Sequence, residues 1–344
     1  MLQSGSSNES STVDLDQLNV SVVMSVFDKP DDVVRTIQSV LAQQGINLEF
    51  IIVNDGASAQ VIDELTRFSD PRIKVINLEN QGLTKALIRG CHQAKHDFIA
   101  RIDAGDVMLQ SRLQKQARYL QQHSGSVMVS CWVALHTDEG FPLYDLKLSS
   151  KELSKGIKAT SSDNFRSPIH ASVMFKKTAY ESVGGYREQF YFTQDCDLWA
   201  RLLRSGGDVG VIEEILLRAT FSASGISGKY ADTQKLLASL VVQSNKQYSE
   251  GNFDDEPILA KAQELRPMAE GAGEGKIPNI KMRPPGEFAG NYFIASILTK
   301  TQPDKALLYW QKALQEKPFN FSCRIKWAWC MVRLRIKLAF RPRT

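Results

Sequence analysis

VSVVMSV (Val20–Val26) is an apolar, largely β-branched run, the pattern of a strand covered on both faces. A helix is predicted after it. Val33, Val34, Ile37, Val40 and Leu41 recur at helical spacing, and Asp31 and Asp32 suit its first turn. The pattern then repeats. LEFIIV (Leu48–Val53) reads as a second strand and ends in the turn Asn54-Asp55-Gly56. A helix over 59–68, the strand RIKVINL (Arg72–Leu78), a helix over 83–94 and the strand DFIARI (Asp97–Ile102) follow. Alternation of this kind implies βαβ units, a parallel sheet and right-handed crossovers. Further along, Val127–His136 and His170–Lys176 read as strands, Asp195–Ser205 as an amphipathic helix and Val209–Leu217 as a last strand.

The chain of 344 residues is long enough for a catalytic domain with an appendage. A formal charge of +4 is too small to imply a nucleic-acid partner. Five scattered cysteines contain no CxxC pair, so neither a disulfide framework nor a zinc site is expected. Residues 1–17 are expected to be a polar, disordered leader, and no run is long and apolar enough to span a membrane.

Ligands of open parallel sheets bind beyond the carboxyl ends of the strands. Asp55 follows the second strand there, and Asp103 and Asp106 follow the fourth. A single turn aspartate is commonly structural. Several at the strand ends of one sheet point to a ligand or divalent-cation site.

The ordered stretches VSVVMSVFDKPDDVVRTIQSVLAQ, FIIVNDGAS, NQGLTKALIRG and FIARIDAGDVMLQSRLQKQ resemble the N-terminal half of family 2 glycosyltransferases. HASVMF (His170–Phe175), GGYRE (Gly184–Glu188) and TQDCDLWARLLRSG (Thr193–Gly206) resemble the acceptor half. The resemblance implies an α/β GT-A fold with a small helical C-terminal appendage, and an inverting transfer from a nucleoside diphosphate sugar, UDP-linked by expectation. It puts Phe27 and Asp55 beside the nucleotide base. Asp103 matches the first aspartate of the DxD motif, at the ribose and metal region, and Asp195 matches the general base of the Glu-Asp pair. A base is needed because an acceptor hydroxyl attacks poorly until its proton is taken. Mg²⁺ or Mn²⁺ is expected to steady the departing diphosphate.

Three positions depart from the family pattern. Gly105 stands where the DxD motif carries its second carboxylate, and Asp106 is the nearest replacement as a metal ligand beside Asp103. Gln194 replaces the glutamate before Asp195, and Ser222 stands where a late histidine helps to hold the metal. Losing two ligands weakens metal affinity. Two sets of cations are placed to meet the diphosphate. Lys85 and Arg89 lie one helical turn apart and either face it or line a solvated helix face. Arg101, on the same strand face as Asp103, is the stronger candidate. His170 is read as packed or hydrogen-bonded, Cys196 as filler and Trp199 as core.

The expected organisation is a GT-A-like domain over 18–245, a Glu-, Gly- and Pro-rich linker over 246–288, and a tetratricopeptide-like helical hairpin with a basic tail over 289–344. One such hairpin cannot bury its own face and must pack on something. Its second helix puts Ala306, Leu307, Trp310, Ala313 and Leu314 on one side. The tail combines seven Lys or Arg with Trp327, Trp329, Ile336, Leu338 and Phe340. As a helix, its cations form two stripes with apolar residues between them, while Arg333–Leu338 alternates as a strand would. Peripheral contact with anionic lipid and packing on the catalytic domain or a partner are both open. The expected acceptor is a glycan or a lipid-linked sugar, in the cytoplasm or at the inner face of the membrane. A nucleotidyltransferase and a non-catalytic nucleotide-sugar-binding scaffold are the rival functions.

Overall fold

A computed structural model describes residues 18–27, 30–265 and 286–339. The expected leader and most of the expected linker lie outside the described residues. β1 (Asn19–Val26) pairs in parallel with β2 (Asn47–Asp55), and β2 pairs in parallel with β3 (Ile73–Leu78). β4 (Phe98–Arg101) lies parallel to β1 on its other side. Between these strands run α1 (Pro30–Leu41), α2 (Ala59–Thr66) and α3 (Leu83–Gln93). Val20, Val22, Met24 and Val26 pack in one core layer with Val33, Ile37 and Val40 of α1. Val23 packs in the other, with Ala86 and Leu87 of α3. The apolar character of β1 thus comes from helices on both faces, and its register sends alternate residues to opposite layers.

The chain continues through β5 (Val107–Met108), α4 (Arg112–Gln122), β6 (Ser126–Thr137), β7 (Pro142–Leu146) and α5 (Ser150–Ile157). Then come β8 (Met174–Lys176), α6 (Lys177–Ser182), α7 (Gln194–Arg204) and β9 (Asp208–Phe221). Among the described residues the sheet has nine strands in the order β3-β2-β1-β4-β8-β6-β9-β5, with β7 on β6. The sheet is mixed: β8 is antiparallel to β4 and β6, whereas β6 and β9 run parallel. His170 does not start a strand. His170–Ser172 form a 3-10 turn that carries the chain inward before β8.

The region beyond β9 differs from the expected linker. α8 (Ile226–Lys229) leads into α9 (Ala231–Ser249), and α10 (Glu256–Glu264) follows after a short turn. Ile258, Ala262 and Leu265 are buried in the same core layer as Leu237 and Val241 of α9. Asp255 adds polar ties, accepting from Arg187 (2.9 Å) and from Ser244 (2.6 Å). Three apolar residues among polar neighbours were enough to seat a helix that composition hides.

The C-terminal unit comprises α11 (Phe288–Thr301), α12 (Pro303–Glu316) and α13 (Phe321–Ala339). α11 and α12 form a hairpin, with Trp310 buried and its indole N–H donating to Thr299 Oγ1 (2.9 Å). The hairpin packs on the sheet domain. Phe293 meets Phe221 and Tyr144, Tyr309 hydrogen-bonds Glu139, and Gly290 lies so close to Ala223 that a Cβ there would come within 2.6 Å of its Cα. All five cysteines are unpaired thiols.

Candidate active site

Phe27, Asp55 and Asp103 lie at the carboxyl ends of β1, β2 and β4, and Asp195, in the first turn of α7, is near enough to Asp103 to feel its charge. Phe27 follows β1 and is half exposed. Asp55 ends β2 and is buried. Its two oxygens accept from the backbone N–H groups of Gln81 (2.8 Å) and Gly82 (2.9 Å). These bonds fold the 80–82 turn back onto the strand end and set the entry to α3. Gly82 has φ +89°, and a Cβ there would lie 2.3 Å from the Tyr191 hydroxyl, so only glycine fits this turn. Asp55 therefore holds backbone, and only its remaining lone pairs could reach a base.

Arg101 is not at the cleft surface. Its side chain is fully buried, and the guanidinium donates to the carbonyls of Val23 and Ile102, to His170 Nε2 (3.3 Å) and to Asp103 Oδ1 (2.5 Å). Strand alternation gave the correct side of the sheet but not the depth, because the wall above Arg101 comes from the His170 turn far along the chain. Arg101 is thus corrected from a diphosphate contact to the support beneath Asp103. The Asp103 side chain is 44% exposed above it. His170 Nε2 also lies 2.7 Å from the Tyr186 hydroxyl. Burial, and then Arg101, hold the His170 pKa well below the usual value, so the ring is neutral. Its unprotonated Nε2 accepts from both neighbours, while burial holds the Tyr186 phenol well above its usual pKa.

Asp106 lies deeper than Asp103. It is buried, and its Oδ1 accepts from the backbone N–H of Thr220 (2.8 Å) at the end of β9. Burial, and then the charge of Asp103, push its pKa well above the usual carboxylate range. The turn around it is locked on both sides. The Thr36 hydroxyl donates to Asp106 O (2.8 Å) and accepts from Gly105 N–H (2.9 Å), and the Thr220 hydroxyl donates to Gly105 O (2.9 Å). Through these bonds Asp106 and its turn clamp α1 to β9. Gly105 has φ +102°, a conformation that disfavours the aspartate a DxD motif would place there.

Among the described residues no group of three or more His, Cys, Asp or Glu is arranged to hold a metal ion. Asp103 is the carboxylate at this strand end that faces solvent. A donor set of one carboxylate fits a cation carried mainly by phosphate and water oxygens, as Mg²⁺ sites on nucleotides commonly are. Ser222 does not add to it; its hydroxyl pairs with that of Ser224 (2.8 Å).

Asp195 lies in the first turn of α7 and is half-buried. Burial raises its pKa to about 6, against the lowering effect of backbone N–H groups. The charge of Asp103 pushes in the same upward direction, so the two carboxylates feel one another. No cation pairs with Asp195 among the described residues. Gln194 Oε1 and Thr193 Oγ1 beside it are buried without hydrogen-bond partners. Asp197, two residues on, is instead saturated by Arg187 and Arg201, which bind the start of α7 to the 183–187 turn. Lys85 stands at the edge, 3.8 Å from Glu188, and Arg89 is exposed. Cys196 is a thiol raised by burial and by Asp195, in keeping with a filler, and Trp199 is fully buried. Tyr186, Thr36 and Thr220 escaped sequence reasoning. GGYRE marks Tyr186 as part of a motif, but its partner His170 is sixteen residues away.

The family model described as Glycosyl transferase family 2 matches residues 21–184. Amylovoran biosynthesis glycosyltransferase AmsE of Erwinia amylovora is 29% identical over 205 residues, covering 58% of this chain and 74% of that protein. O-antigen biosynthesis glycosyltransferase WbnJ of Escherichia coli is 32% identical over 193 residues, 55% of this chain and 72% of that protein. A mannosyltransferase of Pyrobaculum calidifontis, solved in complex with GDP-Man and Mn²⁺, has a similar fold, with a TM-score of 0.52 and 15% identity over 91% of this chain and 84% of the other.

Proposed function

The chain belongs to glycosyl transferase family 2, and from that premise we propose that it transfers a sugar from a nucleoside diphosphate sugar to a hydroxyl of a glycan or lipid-linked acceptor in cell-surface polysaccharide synthesis. The observation that carries this reading is Asp195: a half-buried carboxylate with a pKa of about 6, near enough to Asp103 to feel its charge. A general base works best when its pKa lies near the operating pH. Asp195 takes the proton of the acceptor hydroxyl as that oxygen attacks the anomeric carbon. Attack from the side opposite the diphosphate inverts the anomeric configuration. Its position in the first turn of α7 supplies backbone N–H groups that keep the carboxylate ionisable despite burial.

Asp103, carried on Arg101, faces the ribose and diphosphate of the donor. A divalent cation, Mg²⁺ or Mn²⁺, bound between Asp103 and the diphosphate would offset the charge that grows as the bond to the sugar breaks. Phe27 and Asp55 border the nucleotide base, and Lys85 borders the diphosphate once it leaves Glu188. A UDP-linked donor is the first choice, and GDP-mannose the second because of the substrate in the mannosyltransferase complex.

The test is release of nucleoside diphosphate from a panel of nucleotide sugars, with and without Mn²⁺, by wild type and Asp195→Asn. The proposal requires turnover that Asp195→Asn loses. Binding without turnover under every condition would favour a scaffold, and pyrophosphate release from a nucleoside triphosphate and a sugar phosphate would favour a nucleotidyltransferase.

A further inference from the structure

α13 is a helix from Phe321 to Ala339, which decides between the helical and the strand readings of the basic tail. One face packs inward. Cys323 and Cys330 are buried against the hairpin, and Trp327 joins the same core. The opposite face is bare. Phe321, Ile325, Trp329, Val332 and Ile336 are all more than half exposed. Their spacing of four, four, three and four residues puts them within about 80° of arc at 3.6 residues per turn.

The charges follow the same geometry. Arg324 and Arg335 run along one edge of the apolar stripe, and Lys326, Arg333 and Lys337 along the other. Arg333 lies over the Trp329 ring, 4.7 Å from its centroid. No Asp or Glu occurs anywhere from Phe321 to Thr344. An exposed apolar stripe bordered on both sides by cations, with a tryptophan within it, is the layout of a helix lying in a membrane interface. The stripe enters the acyl boundary while the long basic side chains reach up to the headgroups. A second copy of this chain is a poor occupant, because pairing two stripes would bring cations together along both edges.

We propose that this face of α13 docks on anionic phospholipid. No described helix is long and apolar enough to cross a membrane, so the contact is peripheral. The helix does not hang free. Cys323 and Cys330 fix it to α11 and α12, and α11 seats Gly290 against Ala223, three residues past Thr220, whose N–H binds Asp106. Docking would therefore hold the catalytic domain at the surface through a short packed connection, not through a loose tether. Docking depends on neither the donor nor the role of Asp195.

Flotation of the full chain with vesicles tests it. One set is phosphatidylcholine alone, and the other contains about one-third phosphatidylglycerol. The wild type should bind the anionic vesicles at least tenfold more tightly, and lose that advantage in high salt. Trp329→Ser with Ile336→Ser should reduce anionic-vesicle binding at least tenfold. Arg324→Gln with Arg335→Gln and Lys337→Gln should do the same, since each surface cation contributes about fivefold. All five positions are exposed, and the bond lost from Arg324 Nε to Pro318 O (2.7 Å) is itself at the surface, so both variants should stay folded with a Tm close to wild type. Equal binding to both vesicle types, or wild-type binding by both variants, would overturn the proposal. So would a wild-type dimer that the Trp329–Ile336 variant turns into a monomer, because the stripe would then be a protein interface.

Discussion

The floor of the cleft at the end of β4 and its wall at the start of α7 treat a carboxylate in opposite ways. On the floor, Asp103 rests on a buried guanidinium that is itself tied to two backbone carbonyls and a neutral histidine. On the wall, Asp195 has backbone donors and, among the described residues, no cation, and its pKa rises to about 6. The difference separates two tasks. A carboxylate paired with a fixed cation keeps its position and suits recognition of a donor. A carboxylate left unpaired and half-buried suits taking a proton. The wall contains its own control: Asp197, in the same helical turn, is saturated by two arginines and is structural.

Exchanging the roles should give the largest effect. Asp195→Asn should lower turnover by about 10²–10⁴-fold, the usual contribution of a positioned base. It should also stabilise the protein. The folded-state pKa is about 6 against an ordinary 3.8, so the folded protein holds this proton more tightly than the unfolded chain does. Ionisation therefore costs stability progressively from about pH 4 through 6, and fully above that. Asparagine removes the cost. Thermal unfolding should show Asp195→Asn higher in Tm at pH 7 and level with wild type below about pH 4.

The floor should respond in the reverse sense. Arg101→Met removes four donated bonds, those to the buried His170 ring and the Ile102 carbonyl among them, and should cost about 2–4 kcal/mol in denaturant unfolding. A smaller effect belongs to the clamp behind it. Asp106→Ala strands the Thr220 N–H and should cost about 1–3 kcal/mol. Asp106→Asn keeps an acceptor oxygen and should stay close to wild type in both stability and Mn²⁺ affinity; a large loss of Mn²⁺ affinity would return Asp106 to the metal. The smallest change concerns the missing carboxylate. Gly105→Asp has room, with Asp32 Oδ2 at 3.4 Å from the new Cβ, but φ +102° makes it strained by about 1–2 kcal/mol. It should lower Tm without tightening Mn²⁺ binding in calorimetry.

The floor was far more legible in the sequence than its depth. β1 to β4 each carry their own signal, because strands covered on both faces are written as apolar runs and their ends fall at Asp55 and Asp103. The positions of Asp103 and Asp195 followed from that order and from the family resemblance. Arg101 and Asp106 lie deeper than their places in the sequence indicate, because alternation along a strand tells the side of the sheet and nothing of what covers it. What covers Arg101 is the turn at His170, and what captures Asp106 is Thr220, more than a hundred residues away. The same limit hid α10, whose three buried residues sit in a stretch that composition reads as linker, and β5, too short to carry a period. The bare face of α13 was visible as two basic stripes, but only the buried Cys323 and Cys330 tell which side faces outward.

The most direct measurement is the pH dependence of kcat/KM for donor turnover in wild type and Asp195→Asn. The wild type should fall tenfold per pH unit below a midpoint near 6, because a protonated Asp195 cannot accept the acceptor proton. The residual activity of Asp195→Asn should show no such limb. A wild-type profile flat down to pH 5, or the same limb kept in Asp195→Asn, would contradict Asp195 as the base.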